Sequence, residues 1–322
     1  MRKYSVKNVD VFTTVPFSGY PSAVITSAEG LTDREMQKIA EEISLTEVVY
    51  ITPAWGGKSQ FRIRFFTQSE EINISGHSMI GGCYALLEEG RIRPREGRTK
   101  IYFETKEGDI PVNLFFRKGS ENRGGGIKIE GGLLDKIMIK QNLKDDRLSV
   151  VEPDEIADIL EVDRNMIINT GFPIEEIDTG LHHLVVPIKE LDTLHAIKPD
   201  LIKLSIMNRK YGIQITDIFC LDTDDESTAH SRHFGPVVGI LEASGSGMSA
   251  VGIGSYLTRH GLTAGKTMVF RQGNDIEHLS KVYCYIDPSG SDSRSVYVGG
   301  LATTSMERSI EIKESSGEVI FS

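Results

Sequence analysis

Cysteine is scarce in this sequence. Only Cys83, Cys220 and Cys284 occur among 322 residues, in no close spacing. An odd, dispersed set gives neither a disulfide framework nor a zinc-binding pattern, so a reducing, cytoplasmic compartment is expected. Long apolar runs are missing too: none approaches the roughly 20 residues that span a bilayer. The opening segment MRKYSVKNVDVF has no apolar signal core, so secretion is not expected. Positive charge is in deficit, with 36 Lys and Arg against 46 Asp and Glu and a net charge of −10. That balance argues against nonspecific nucleic-acid binding and against docking on anionic membranes.

Glycine, in contrast, is plentiful at 32 residues, which points to tight turns and backbone-lined pockets. The length suggests two domains of roughly 100–200 residues each. Short segments rich in β-branched and aromatic residues read as strands. In the first half these are Val9–Thr13, Val48–Thr52, Phe61–Phe66, Lys100–Thr105, Pro111–Phe116 and Gly126–Glu130. In the second they are Ile167–Thr170, Ile177–Asp178, His183–Pro187, Thr216–Cys220, Val237–Leu241, Met268–Gln272, Val282–Ile286 and Val296–Gly299. Helices are fewer. Thr32-Asp33-Arg34-Glu35 is a capping box opening a helix to about Ser44. Others follow Gly76-His77, Pro153, Pro199-Asp200 and Gly245-Ser246-Gly247. Each half thus has many strands and one long helix entered through a Gly/Ser/His turn, which suggests a duplication with the two helix ends facing one cleft. The glycine-rich stretch Lys118–Gly132 is read as the boundary or a solvated hairpin.

Several residues could carry chemistry. Helix N-termini with glycines, as at Ser75-Gly76-His77-Ser78 and Ser244-Gly245-Ser246-Gly247, offer free N–H groups and a positive dipole end to a small carboxylate; the alternative is ordinary N-capping. Gly245 to Ala250 also fits the dinucleotide pattern G-x-G-x-x-A, although the surrounding segments read as hairpins rather than βαβ units. Glu47 shares a strand face with Val49 and Ile51. A carboxylate on an apolar strand can point into a cleft, where burial would bring its pKa towards that of a general acid/base; otherwise it is a solvated strand end. His230-Ser231-Arg232-His233 has metal-like spacing beside Asp222, Asp224, Asp225 and Glu226. The acids read as a solvated turn, so no metal site is expected. The adjacent His182 and His183 face opposite ways in a strand and are read as structural.

The motifs then resemble a known family. Phe12-Thr13 with Pro16-Phe17-Ser18-Gly19, Pro21 and Ala23-Val24 resembles the opening of the PhzF-like family of phenazine biosynthesis. Leu45-Thr46-Glu47, Arg64-Phe65-Phe66-Thr67 and Ile74-Ser75-Gly76-His77 continue it, as do Arg232-x-Phe234-x-Pro236, Gly247 and Tyr256-Leu257. The resemblance covers nearly the whole chain in order. It implies an α+β, diaminopimelate-epimerase-like fold of two pseudo-symmetric domains, each a curved, mostly antiparallel sheet around a central helix. The expected domains are 1–120, with the tail 303–322 packed on it, and 126–302. Substrate would bind between them, in a homodimer, and no metal or other cofactor is implied. That displaces the nucleotide reading of the Gly245 turn.

By the same resemblance, Glu47 is the acid/base that moves a carbon-bound proton on a small amino- or hydroxy-carboxylate, and Gly76-His77 position the substrate. Ala243 and Met248 stand where the family motif E-D-P-A-T-G-S-A has Asp and Ser. The usual substrate of the family is therefore an unexpected one here, and a metabolite- or protein-binding pseudo-enzyme is an alternative. Ser75 and Ser244 stand where related racemases and epimerases carry cysteine. A hydroxyl is a far poorer base than a thiolate, so a racemase, epimerase or dehydratase ranks behind a one-base isomerase.

Overall fold

The structure is a computed structural model. It describes residues 1–117, 127–129, 132–142, 145–149, 151–263, 265–273, 280–287, 295–313 and 318–321. Of the stretch Lys118–Gly132, expected to hold the domain boundary or a hairpin, residues 118–126, 130 and 131 lie outside the described residues. The chain divides into two units, Met1–Lys140 with Gly299–Ser322, and Gln141–Val298. Among the described residues no helix is long and apolar enough to cross a membrane.

The first unit contains β1 (Arg2–Val11), β2 (Tyr20–Ile25), α1 (Asp33–Ile43), β3 (Val48–Pro53), β4 (Phe61–Phe66), β5 (Glu71–Ile72) and α2 (Gly76–Glu88). There follow β6 (Gly97–Thr105), β7 (Gly108–Arg117), β8 (Ile127–Ile129) and β9 (Gly132–Asn142). Strands β1–β2, β3–β4, β6–β7, β7–β9 and β8–β9 pair antiparallel, and β2–β3 and β4–β6 pair parallel. Because β9 adds to β7, the unit extends to Lys140.

Two helices meet this sheet differently. The capping box holds: the Thr32 hydroxyl accepts from Glu35 N at 3.3 Å, and Glu35 Oε2 accepts from Thr32 N at 2.8 Å. The buried stripe Met36, Ile39, Ala40 and Ile43 packs α1 on Val48, Tyr50 and Phe66. α2 is instead buried from Ser78 to Leu87, on every side. A helix apolar all round belongs in a core, and its glycines let the sheet close on it. A Cβ at Gly82 would lie 3.1 Å from Ile51 Cδ1 and 3.4 Å from Val49 Cγ1.

The second unit repeats this plan. Its elements are β10 (Asp145–Leu148), α3 (Pro153–Leu160), α4 (Asn165–Ile168), β11 (Glu175–Asp178), β12 (His182–Ile188), α5 (Leu191–Ala196) and α6 (Leu201–Tyr211). Then come β13 (Ile215–Cys220), β14 (Ala229–Gly235), β15 (Ile240–Ala243), α7 (Gly247–Arg259), β16 (Thr267–Gln272), β17 (Ser280–Ile286) and β18 (Ser295–Gly300). The final strands, β19 (Ala302–Lys313) and β20 (Glu318–Phe321), return to the first unit, where β19 pairs antiparallel with β1. Strand alternation sorts the second sheet's two faces. Leu184, Val186, Ile188, Ile218 and Phe234 form a core under α3 to α6. On the other face Phe219 meets Tyr256 of α7 edge-on, with ring centroids 5.3 Å apart. The central helix is again buried, from Ser249 to Leu257.

Two expected strands are corrected. Ile167 and Ile168 close α4 and Asn169-Thr170 turn out of it, the Asp163 carboxylate accepting from Asn165 N at 2.8 Å where the turn starts. Val237–Leu241 is split by Gly239, whose φ of 82° ends a 3₁₀ turn before β15. Close approach also makes a prediction. A Cβ at Gly299 would stand 1.8 Å from the Ile137 carbonyl oxygen, whereas at Gly82 it meets only the ends of isoleucine chains. Gly299→Ala should therefore cost about 3 kcal/mol or more, since backbone must move. Gly82→Ala should be near neutral, its crowding offset by about 1 kcal/mol of helix propensity. Urea unfolding of the two variants checks the order.

Candidate active site

Glu47 lies between α1 and β3. Ser44 ends α1 in the left-handed region, at φ 56°, and the chain turns at once into the sheet, where the Glu47 carbonyl accepts from Ala23 N at 3.1 Å. Alternation then turns Glu47, Val49 and Ile51 toward α2 and Val48 and Tyr50 toward α1, as the sequence pattern predicts. The Glu47 side chain is 11% exposed. Its Oε2 accepts from the Ser78 hydroxyl at 2.6 Å. Among the described residues Oε1 makes no hydrogen bond.

The proton inventory gives the local network a direction. Ser78 donates its only proton to Glu47, so its oxygen accepts from Ser22 at 3.0 Å and from His77 Nε2 at 3.2 Å. His77 therefore carries its proton on Nε2, and Nδ1 accepts from the Ser75 hydroxyl at 3.3 Å. Burial holds His77 below the ordinary histidine pKa, against the attraction of Glu47, so the ring is neutral at pH 7. Tyr20 stacks edge-on against it at 4.7 Å between centroids, and burial raises the Tyr20 phenol. Ser78 was expected to bind substrate. It is fully buried, with its hydroxyl shared among Glu47, His77 and Ser22, and it holds the carboxylate instead. Ser22 carried no sequence signal.

No side chain caps α2. The N–H groups of Gly76, His77 and Ser78 thus lack helical partners and put positive potential beside Glu47.

In the second unit the α7 end is tied down from beneath. The Ser246 hydroxyl accepts from Ser249 N at 3.2 Å, the Ser249 hydroxyl donates to Asp217 Oδ1 at 2.6 Å, and Gln272 Nε2 donates to Ser249 Oγ at 2.8 Å. The Ser246 N–H donates to Gln272 Oε1. Gly245 and Ser246 are buried, and Ser244 and Gly247 are partly exposed.

Asp217 is the residue that sequence reasoning missed. It is fully buried and accepts from His183 Nδ1 at 2.6 Å and from His233 Nδ1 at 2.7 Å. His183 Nε2 lies 3.0 Å from Thr179 Oγ1. Burial would raise the Asp217 pKa, but the two imidazoles hold it well below the usual carboxylate range. His183 is thus more than a packing residue, while His182 points away and is half exposed. Glu242, a possible polar contact beside Ala243, is gripped by Arg232 through two bonds of 2.8 and 2.9 Å. The three cysteines are buried thiols. Burial pushes Cys220 up to about 11, and Cys83 and Cys284 higher still.

A depressed aspartate pKa has a definite consequence for stability. The contribution of Asp217 is complete above about pH 4, its ordinary value, and is lost as pH falls from there through the lower folded value. Asp217→Asn should destabilise the protein by about 3–5 kcal/mol at pH 7, because a buried pair loses its anion. Urea unfolding across pH should show the gap to wild type narrowing only below about pH 4.

Comparison with known proteins agrees with this architecture. A family model described as phenazine biosynthesis-like protein matches residues 9–308. An uncharacterized isomerase of Clostridium acetobutylicum is 29% identical over 272 residues, covering 84% of each chain. The trans-2,3-dihydro-3-hydroxyanthranilate isomerase of Pseudomonas fluorescens is 28% identical over 298 residues, 92% of this chain and 95% of that one. The crystal structure of a PhzF-family phenazine biosynthesis protein from Bacillus anthracis superposes with a TM-score of 0.82 at 25% identity, covering 97% of this chain and 100% of that one. With two sheet-wrapped helices and a family match over nearly its whole length, the chain belongs to the phenazine biosynthesis-like, PhzF-type family of isomerases.

Proposed function

We propose that this protein is a cofactor-independent isomerase that moves a carbon-bound proton on a small amino- or hydroxy-substituted carboxylate, with Glu47 as the single acid/base. The observation that carries this reading is the state of the Glu47 carboxylate. It is nearly buried, anchored through Oε2 by Ser78 at 2.6 Å, and has Oε1 without a partner among the described residues. A carboxylate held this way can take a proton from one carbon and return it to another within reach, provided water is excluded.

His77 does not compete for that role. Its Nε2 proton is engaged with Ser78, and burial keeps the ring neutral; it fixes Ser78 and hence Glu47. Negative charge that develops on the substrate is met by the open N–H groups of Gly76 and His77, a preorganised donor set of the kind that stabilises oxyanions. Ser75, Gly76 and His77 are the proposed substrate-binding residues of the first unit, and Ser244, Gly245, Ser246 and Gly247 those of the second. The relative from Pseudomonas fluorescens is named for an isomerase of a hydroxy-substituted anthranilate, which supports the substrate class.

The substrate itself should differ. Ala243 offers only a methyl group, Met248 a thioether, and Glu242 is held by Arg232. Each lost hydrogen bond to a polar or charged group costs about 1.5–3 kcal/mol. Trans-2,3-dihydro-3-hydroxyanthranilate should therefore be turned over poorly, and carboxylates with a less polar substituent should be preferred. For whichever carboxylate the enzyme accepts, Glu47→Gln should lower kcat at least about 100-fold with folding intact. Ser78→Ala should give a smaller loss. Steady-state kinetics decide: a Glu47→Gln enzyme with wild-type turnover would remove Glu47 from the mechanism.

A further inference from the structure

The His230-x-x-His233 spacing places two imidazoles three positions apart on β14, and a strand turns such a pair to opposite faces. His233 goes to Asp217. His230 turns to the side of α5, where its ring lies 5.6 Å from that of His195 between centroids. It is 3% exposed, and neither ring nitrogen has a hydrogen-bond partner. Leaving a buried imidazole unpaired is costly, and its neighbours indicate what would satisfy it.

Nε2 of His230 stands 3.5 Å from Asp224 Oδ1 and 3.6 Å from Asp225 Oδ1. These separations are too long for a good N–H···O bond. They match donors that share one ion: around a tetrahedral centre with bonds of about 2.1 Å, donor atoms stand about 3.4 Å apart. Asp225 is already oriented for such a role. Ser227 N donates to its Oδ1 at 2.7 Å and Arg271 Nε to its Oδ2 at 2.8 Å. Outer partners of this kind fix a ligand's direction.

Asp224 lines a cavity of about 360 Å³ together with Glu190, Leu191, Asp192, Asp222 and Thr223. Four carboxylates at its wall raise the local concentration of cations.

We propose that Asp224, Asp225 and His230 form a divalent-cation site outside the candidate active site, clamping the turn between β13 and β14. One imidazole with two carboxylates selects a zinc-class ion over Mg²⁺ or Ca²⁺, which prefer oxygen-only shells.

The test uses the full-length protein stripped of metal and titrated with Zn²⁺ by calorimetry and with Co²⁺ by visible absorption. One equivalent should bind, with a Co²⁺ spectrum of a low-coordinate centre and a rise in Tm. His230→Gln should weaken binding more than about 100-fold, beyond what loss of an outer partner does. Asp224→Asn, at a side chain that is 71% exposed, should weaken it without disturbing the fold, so a poorly folded His230 variant would still leave a decisive comparison. No Co²⁺ or Zn²⁺ binding by the wild-type protein overturns the proposal. Binding that Asp224→Asn leaves unchanged, or that excess Mg²⁺ abolishes, does so too.

Discussion

A helix that is apolar on every side must be enclosed, and that constraint shapes both units. α2 and α7 can be buried only because a sheet curves around each and because glycines remove the side chains that would hold it off. Enclosure leaves the two ends of the helix as the places where polar chemistry can reach the surface of the core. At the N-terminal end the backbone presents unpaired N–H groups and a positive potential. The proposed site residues of each unit lie where its central helix begins.

The two units handle that end differently. In the first, α2 has no side-chain cap, and the nearby charge, Glu47, is held by one oxygen through a serine that also gathers Ser22 and His77. One oxygen remains for chemistry. In the second, the helix end is capped by Ser246 and supported by Ser249 and Gln272, and the charge beneath it, Asp217, has donors on both oxygens from His183, His233 and Ser249. A buried anion with every bond satisfied serves as a fixed support. A buried anion with a spare oxygen can take up a proton. The same physical cost of burying charge is thus met by donors on both oxygens in the second unit and, among the described residues, on one oxygen in the first.

Much of this was legible in the sequence where the signal is local. The capping box fixed the start of α1, and alternation put Glu47 on the face of Val49 and Ile51. The Gly/Ser/His turns at Gly76-His77 and Gly245-Ser246-Gly247 marked the two central helices. What stayed hidden depends on partners far along the chain. Asp217 sits in Ile215–Cys220, an apolar strand with one acid, and its ligands His183 and His233 lie 34 and 16 positions away. Ser78 read as part of a helix-end cradle, yet its hydroxyl turns inward because Ser22 on β2 and Glu47 ahead of β3 converge on it. The error at Ile167–Thr170 has a local cause: β-branched residues suggested a strand, but one Asp cap at Asp163 was enough to start a helical turn.

The central claim is that one carboxylate, Glu47, removes and returns a proton at carbon. It is tested most directly by NMR in deuterated water on a panel of small amino- and hydroxy-carboxylates. The account predicts that wild-type protein isomerises at least one of them, with the moved proton returned or replaced by deuterium, and that Glu47→Gln does neither. Equal isomerisation and labelling by both proteins, or neither in the wild type, would contradict it.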